Sequence, residues 1–174
     1  MANQRSVKDT LYRISISGVG AALVLIATQF RLPTGIGYVN LGDGVILLFS
    51  FLLGPVAFFP AAVGSLLADL LADYPQYMLA SFLIKGVMAL VAGLILSVPS
   101  PSVLRKILAF VLAEAIMVGG YLAFESFLYG FAPACGSLIP NALQGITAII
   151  IGMILSFALR KRRDKKLTGG TRNG

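Results

Sequence analysis

The chain has no histidine, no tryptophan and one cysteine in 174 residues, and only 12% of it is charged. With no histidine and a lone Cys135, the usual zinc and copper donor sets are excluded, and so is an internal disulfide. The shortage of charge matters more. A soluble chain is roughly one quarter charged, so too little polar surface is left here to face water. Apolar residues take its place: 57% of the chain is hydrophobic and the mean hydropathy is +0.89. A soluble enzyme, a disordered chain and a disulfide-stapled secreted domain are thereby excluded, and an integral membrane protein is indicated. G-x-x-x-x-G-K-[ST], H-E-x-x-H and G-x-S-x-G are also missing, so there is no nucleotide-hydrolysing loop and no recognisable catalytic constellation. The expectation is a protein that is not an enzyme and carries no cofactor or metal. If it concentrates a solute, the energy comes from ions or from a partner.

What is present is a series of long apolar runs. A helix needs about 20 apolar residues to cross the hydrocarbon, and on that basis the sequence predicts an all-α bundle of six transmembrane helices. The first runs from Leu11 to Phe30 and ends at Arg31-Leu32-Pro33. The second and third share one stretch, Val45 to Leu71, broken by Gly54-Pro55 and Pro60 into two short spans. The fourth covers Ser81 to Ser97, the fifth Val103 to Leu128 and the sixth Leu138 to Leu159. Residues 1–160 form the transmembrane domain and 161–174 a basic tail. The first run is long and lacks a clear small-residue cleavage site, so it reads as a retained span.

Lysine and arginine mark the cytoplasmic side of short loops. Arg5, Lys8 and Arg13 precede or open the first span, Arg105 and Lys106 open the fifth, and Arg160, Lys161, Arg162, Arg163, Lys165, Lys166 and Arg172 follow the sixth. With an even number of spans these groups share one side, so both termini are expected in the cytoplasm. The net charge of +7 then reflects topology and anionic lipid headgroups rather than nucleic acid.

The remaining polar residues collect at the opposite, outer end. Asp43, Asp69, Asp73, Lys85 and Glu125, with Asn40, Gln76, Asn141 and Gln144, fall near span ends or in the longer outer loops. Some can cap helices at the interface. Lys85 and Glu125, inside apolar runs, are harder to explain that way, because charge in the membrane is costly and marks a site. Tyr38, Tyr74, Tyr77, Tyr121, Phe124, Phe127 and Tyr129 are interleaved with them, as an interfacial belt or as the walls of a pocket. Together they suit a small, flat, polar molecule, neutral or weakly basic because acids outnumber bases. Asp69 with Asp73, Tyr121 with Glu125 and Asn141 with Gln144 are spaced to share helix faces. The same carboxylates would suit proton or sodium binding in an ion-coupled secondary transporter, although no inverted repeat is evident. Glu114, halfway along the fifth span, is left as a deep ligand, a partner of Lys85 or an interior hydrogen-bonding residue.

Small residues recur at close helical spacing: Ser17 with Ala21 and Gly18 with Ala22 on the first span, and Ala61, Gly64, Ser65 and Ala68 on the third. Gly86, Ala89 and Gly93 lie on the fourth, and Gly145, Ala148 and Gly152 on the sixth. Packing inside the bundle explains most of these, and a spare face on the first helix would let another membrane helix approach.

Several blocks carry a family resemblance: Tyr38-Val39-Asn40-Leu41-Gly42-Asp43, Leu53-Gly54-Pro55, Gly64-Ser65-Leu66-Leu67-Ala68-Asp69-Leu70, Tyr74-Pro75-Gln76-Tyr77 and Leu83-Ile84-Lys85-Gly86. They resemble the substrate-binding S components of energy-coupling factor (ECF) vitamin transporters, in the branch grouping riboflavin-type with hydroxymethylpyrimidine- or pyridoxine-type members. The resemblance implies a prokaryotic plasma-membrane protein that binds a vitamin from outside. It implies docking on a transmembrane coupling subunit driven by two ATP-binding-cassette ATPases. The family's A-x-x-x-A contact on the first helix falls on Ser17, Gly18, Ala21 and Ala22, where alanine is only partly kept. Leu32 to Asp43 resembles a flexible lid, with Gly35 and Gly37 to let it move. Motif position puts Asn40, Asp43, Asp69, Tyr77 and Lys85 around the ligand. The polar cluster adds Tyr121, Glu125, Asn141 and Gln144. A hydroxylated pyridine or pyrimidine is expected first, riboflavin or pantothenate next.

Overall fold

A computed structural model describes residues 2–34 and 37–159, apart from the side chains of 2–6, 8–9 and 32–38. The basic tail, Gly35, and the side chains of Arg5, Lys8 and Tyr38 therefore lie outside the described residues. The chain runs through α1 (Ala2–Gln29), a hairpin of β1 (Arg31–Thr34) and β2 (Gly37–Asn40), α2 (Gly42–Leu53), α3 (Phe58–Leu71) and α4 (Met78–Leu96). It continues with α5 (Val103–Tyr129), the single turn α6 (Phe131–Ala134) and α7 (Leu138–Ala158).

Among the described residues, five stretches are long and apolar enough to cross a membrane: Thr10–Gln29, Gly42–Leu71, Pro75–Leu96, Val103–Tyr129 and Phe131–Ala158. The second of these holds two helices, α2 and α3, of 12 and 14 residues. They are joined by a 3-10 turn, Gly54–Ala57. Gly54 adopts φ +62°, a left-handed conformation that only glycine takes without cost, and Pro55 opens the turn. Gly93 on α4 lies directly against it, since a Cβ at Gly93 would run into the Gly54 carbonyl. The tight contact of two glycines thus pins the α2–α3 turn to α4.

The helices alternate in direction. Asp43 at the start of α2, Asp69 near the end of α3 and Lys85 in the first half of α4 meet at one end. Gly54, Ser97 and the start of α5 lie at the other. There Ser102 caps α5 by accepting from the Arg105 N–H at 3.2 Å. Lys106 departs from its expected place among the lipid headgroups. It is buried, its Nζ 4.6 Å from the Phe51 ring and 4.5 Å from the Phe157 ring, and it donates to Ser156 Oγ at 3.3 Å. It thereby ties α2, α5 and α7 together.

Phe51, Phe110, Ile46, Leu47, Met88 and Met117 form the core between α2, α4, α5 and α7. α1 exposes most of its apolar length, while the Gly42–Leu71 and Pro75–Leu96 stretches bury half of theirs. On α1 the small residues divide by face. Gly20 abuts Pro60 and Phe49, and Ala21 receives Gly64 of α3. Gly18 and Ala22 face outward.

Some boundaries differ from expectation. α1 begins at Ala2, and the loop expected between Tyr129 and Ser137 is, after a break at Gly130, the short α6 followed by a 3-10 turn, Cys135–Ser137. The segment expected as a lid is an antiparallel hairpin pairing Arg31 with Asn40 and Thr34 with Gly37. Alternation is weak in these short strands, so the pattern did not signal them.

Candidate functional site

A cavity of about 310 Å³ opens at the end where Asp69 and Lys85 meet. Its walls come from every long helix but α2. Thr28 comes from α1, Ser65 and Asp69 from α3, Ser81 and Lys85 from α4, Tyr121 and Glu125 from α5, Asn141 and Gln144 from α7. Asn40 and Arg31 contribute from the hairpin, Tyr74 and Tyr77 from the turn after α3.

Local sequence explains that turn. α3 stops at Leu71, Asp73 takes φ +60°, and the Tyr74 N–H bonds back to the Asp69 carbonyl at 3.0 Å. Aspartate tolerates the left-handed region, and Pro75 then starts a 3-10 turn that delivers Tyr77 to the cavity. The face expected to join Asp69 and Asp73 does not form. The chain has left the helix by Asp73, which is exposed and outside the cavity, as is Gln76.

Beneath the cavity is a buried ionic floor. Lys85 Nζ donates to both oxygens of Asp43, at 2.6 and 2.8 Å. Gln144 Nε2 donates to Asp43 Oδ2 at 2.6 Å. Gln144 Oε1 accepts from Asn40 Nδ2 at 2.9 Å and from the Asn40 N–H at 3.3 Å. Asn40 Oδ1 in turn accepts from the Gly42 N–H at 2.9 Å, fixing the start of α2. One continuous chain of hydrogen bonds therefore connects the hairpin, α7, α2 and α4. Asp43, 1% exposed, does not line the cavity. Expected around the ligand, it sits behind the wall and holds two residues that do line it.

Higher up, Ser81 Oγ and Tyr121 Oη share a hydrogen bond of 2.7 Å, and the Tyr77 hydroxyl donates to Glu125 Oε1 at 3.3 Å. The Lys85 ammonium lies 5.2 Å from the Tyr121 ring centre, and the Arg31 guanidinium 5.9 Å from that of Tyr74. Tyr77 meets Tyr74, Tyr121 and Phe124 at centroid separations of 6.2, 6.4 and 5.4 Å. Asp69 Oδ2 differs from these groups. It is buried and has no hydrogen-bond partner, while the carboxyl group as a whole lines the cavity beside Ser81, so acceptor capacity is left over at the wall.

Of the residues expected around a ligand, all but Asp43 line the cavity. Thr28, Ser65, Ser81, Ser137 and Pro140 line it too and were not anticipated as a group. None of the five is charged, and among apolar neighbours the four hydroxyl residues and Pro140 read as packing or turn residues. Their common signal is position, since all fall at the same end as Asp69. Phe127, 87% exposed, stands outside the cavity.

An all-helical membrane protein with a polar, tyrosine-walled cavity at one end of the bundle has the form of a solute-binding subunit. The family model for "ECF-type riboflavin transporter, S component" matches residues 8–161, and the chain belongs to that family. Its members are transporter components, not enzymes. The chain is 36% identical over 135 residues to an uncharacterized protein of Pyrococcus woesei, covering 77% of this chain and 90% of that one. It is 28% identical over 149 residues to the thiamine precursor transporter HmpT of Lactococcus lactis subsp. cremoris, covering 83% and 85%.

Proposed function

We propose that this chain captures a small ring vitamin or vitamin precursor outside a prokaryotic cell and delivers it inward as part of an ECF importer. In this reading it crosses the plasma membrane six times, with α2 and α3 as two short crossings, the cavity outside and both termini in the cytoplasm. The outward face of α1 around Gly18 and Ala22 docks on the coupling subunit, with Ser17 at its edge and Ala21 turned toward α3, and two ABC ATPases supply the energy.

The observation that carries the substrate class is the unpartnered Asp69 Oδ2 in the cavity wall. It calls for a ligand that donates a hydrogen bond from a ring N–H, an amino group or a hydroxyl. Tyrosine rings beside it supply stacking surface, and the serines and amides serve further hydroxyls. Pyridoxine or hydroxymethylpyrimidine meets these demands best. Riboflavin asks for a larger and more apolar slot. Pantothenate, an anion, would seek Lys85, which is already bidentate on Asp43. The name of the Lactococcus relative supports a thiamine precursor by likeness alone.

The test is a thermal-shift and native mass spectrometry screen of the purified chain against B vitamins and their precursors, with no ATPase present. One compound is expected to raise the melting temperature, as binding to the folded state does by mass action. Silence across the panel, with sodium or protons shifting stability and an imposed ion gradient driving uptake, would replace this reading with an ion-coupled secondary transporter.

A further inference from the structure

Glu114 takes no part in the cavity wall. It lies midway along α5, 4% exposed, and neither carboxylate oxygen has a hydrogen-bond partner. It backs onto Gly145 of α7, where a Cβ would stand 3.2 Å from its own Cβ and 3.3 Å from Oε2. The charged groups that face it from other helices are Asp43 of α2 and Lys85 of α4. α7 offers only Gly145 and the uncharged Gln144, and Tyr121 stands about two turns further along α5.

The charges here do not balance in pairs. One ammonium stands near two buried carboxyl groups, and it donates twice to Asp43, which Gln144 also serves. The third N–H of Lys85 makes no hydrogen bond to Glu114, which is left without a donor. A buried carboxylate with no donor is strongly disfavoured, and such a group takes up a proton instead. A metal ion in its place would need several oxygen ligands, and among the described residues neither Glu114 oxygen has a hydrogen-bond partner.

We propose that Glu114 is a proton-binding site beneath the cavity, and that its proton keeps Lys85 committed to Asp43. The proton comes from solvent and returns to it when the carboxyl ionises. Ionised Glu114 competes with Asp43 for the single ammonium. Drawing Lys85 away loosens the Asp43–Gln144–Asn40 chain that anchors the hairpin, and so the wall of the cavity. Glu114 is thus a positioning residue that acts through Lys85. The affinity consequence rests on the vitamin reading, whereas the proton itself does not.

The experiment is infrared spectroscopy of the lipid-reconstituted, ligand-free chain, with Glu114→Gln and Asp69→Asn alongside. The carbonyl band of a protonated carboxyl group is expected at neutral pH in the wild type and in Asp69→Asn, and not in Glu114→Gln. A missing band in the wild type, or one that survives in Glu114→Gln, overturns the proposal. In parallel, raising the pH is expected to weaken vitamin binding about tenfold in the wild type and to leave Glu114→Gln unchanged. If that variant does not fold, the wild-type band has to disappear reversibly with rising pH, in step with the lost affinity. A pH-independent band, or stability that follows sodium instead of protons, overturns it. Failure of every vitamin to bind strikes the vitamin reading and leaves the band where it is.

Discussion

Asp69 and Lys85 look alike in the sequence, each a charge in an apolar run, yet their surroundings predict different mutant behaviour. Asp69 lines the cavity and its Oδ2 has no hydrogen-bond partner, so Asp69→Asn is expected to keep the fold and weaken vitamin binding by about 1.5–3 kcal/mol, the range for hydrogen bonds to charged groups. Isothermal titration checks this, and unchanged affinity would move the ligand elsewhere. Lys85 is the cation that Asp43 depends on. Lys85→Met leaves that carboxylate buried without its ion, and a loss of about 3–5 kcal/mol of stability is expected before any effect on binding is read. Adding Asp43→Asn to Lys85→Met removes the orphaned charge, and the double variant should melt higher than the single. A double variant no better than Lys85→Met would show that the pair adds nothing as a pair.

Between elements, two contacts control how the helices sit. Gly93 meets the Gly54 carbonyl, so Gly93→Ala pushes α4 off the α2–α3 turn and should lower the melting temperature. Gly18→Ala, on the outward face of α1 with nothing within 4 Å, should leave it unchanged. Equal melting temperatures for the two variants would mean that the turn is not anchored there. The other contact is the hairpin's hold on α7. Gln144→Leu cuts the bonds to Asn40 and Asp43, and hydrogen exchange over residues 37–40 should speed up while the core of α4 stays protected. Uniform exchange across both would place the hairpin's anchor elsewhere.

For the molecule as a whole, class and rough architecture were legible in the sequence because a membrane leaves few choices. Backbone groups in lipid must be satisfied by helices, and Pro and Gly mark where those helices break. The polar end was legible for the same reason, since ionisable groups at that cost are seldom placed without use. The partnerships were not legible. Nothing in the spacing of Asp43 and Lys85, 42 residues apart, says that their helices adjoin or that Asp43 stands behind the wall. The lining serines carry no charge to betray them. Lys106 reads as a surface cation because the Phe51 and Phe157 rings that enclose it come from other helices. The two ends of the bundle also differ in kind. Two rigid contacts, Gly54 on Gly93 and Lys106 between its rings, lie opposite the cavity, and the Asp43–Lys85 floor lies behind its wall. Residues such as Ser65, Ser81, Ser137 and Asn141 line only the cavity end. Mutational drift at those positions can therefore re-specify the cargo without disturbing the scaffold, which leaves such a chain free to diversify in what it carries while its architecture stays the same.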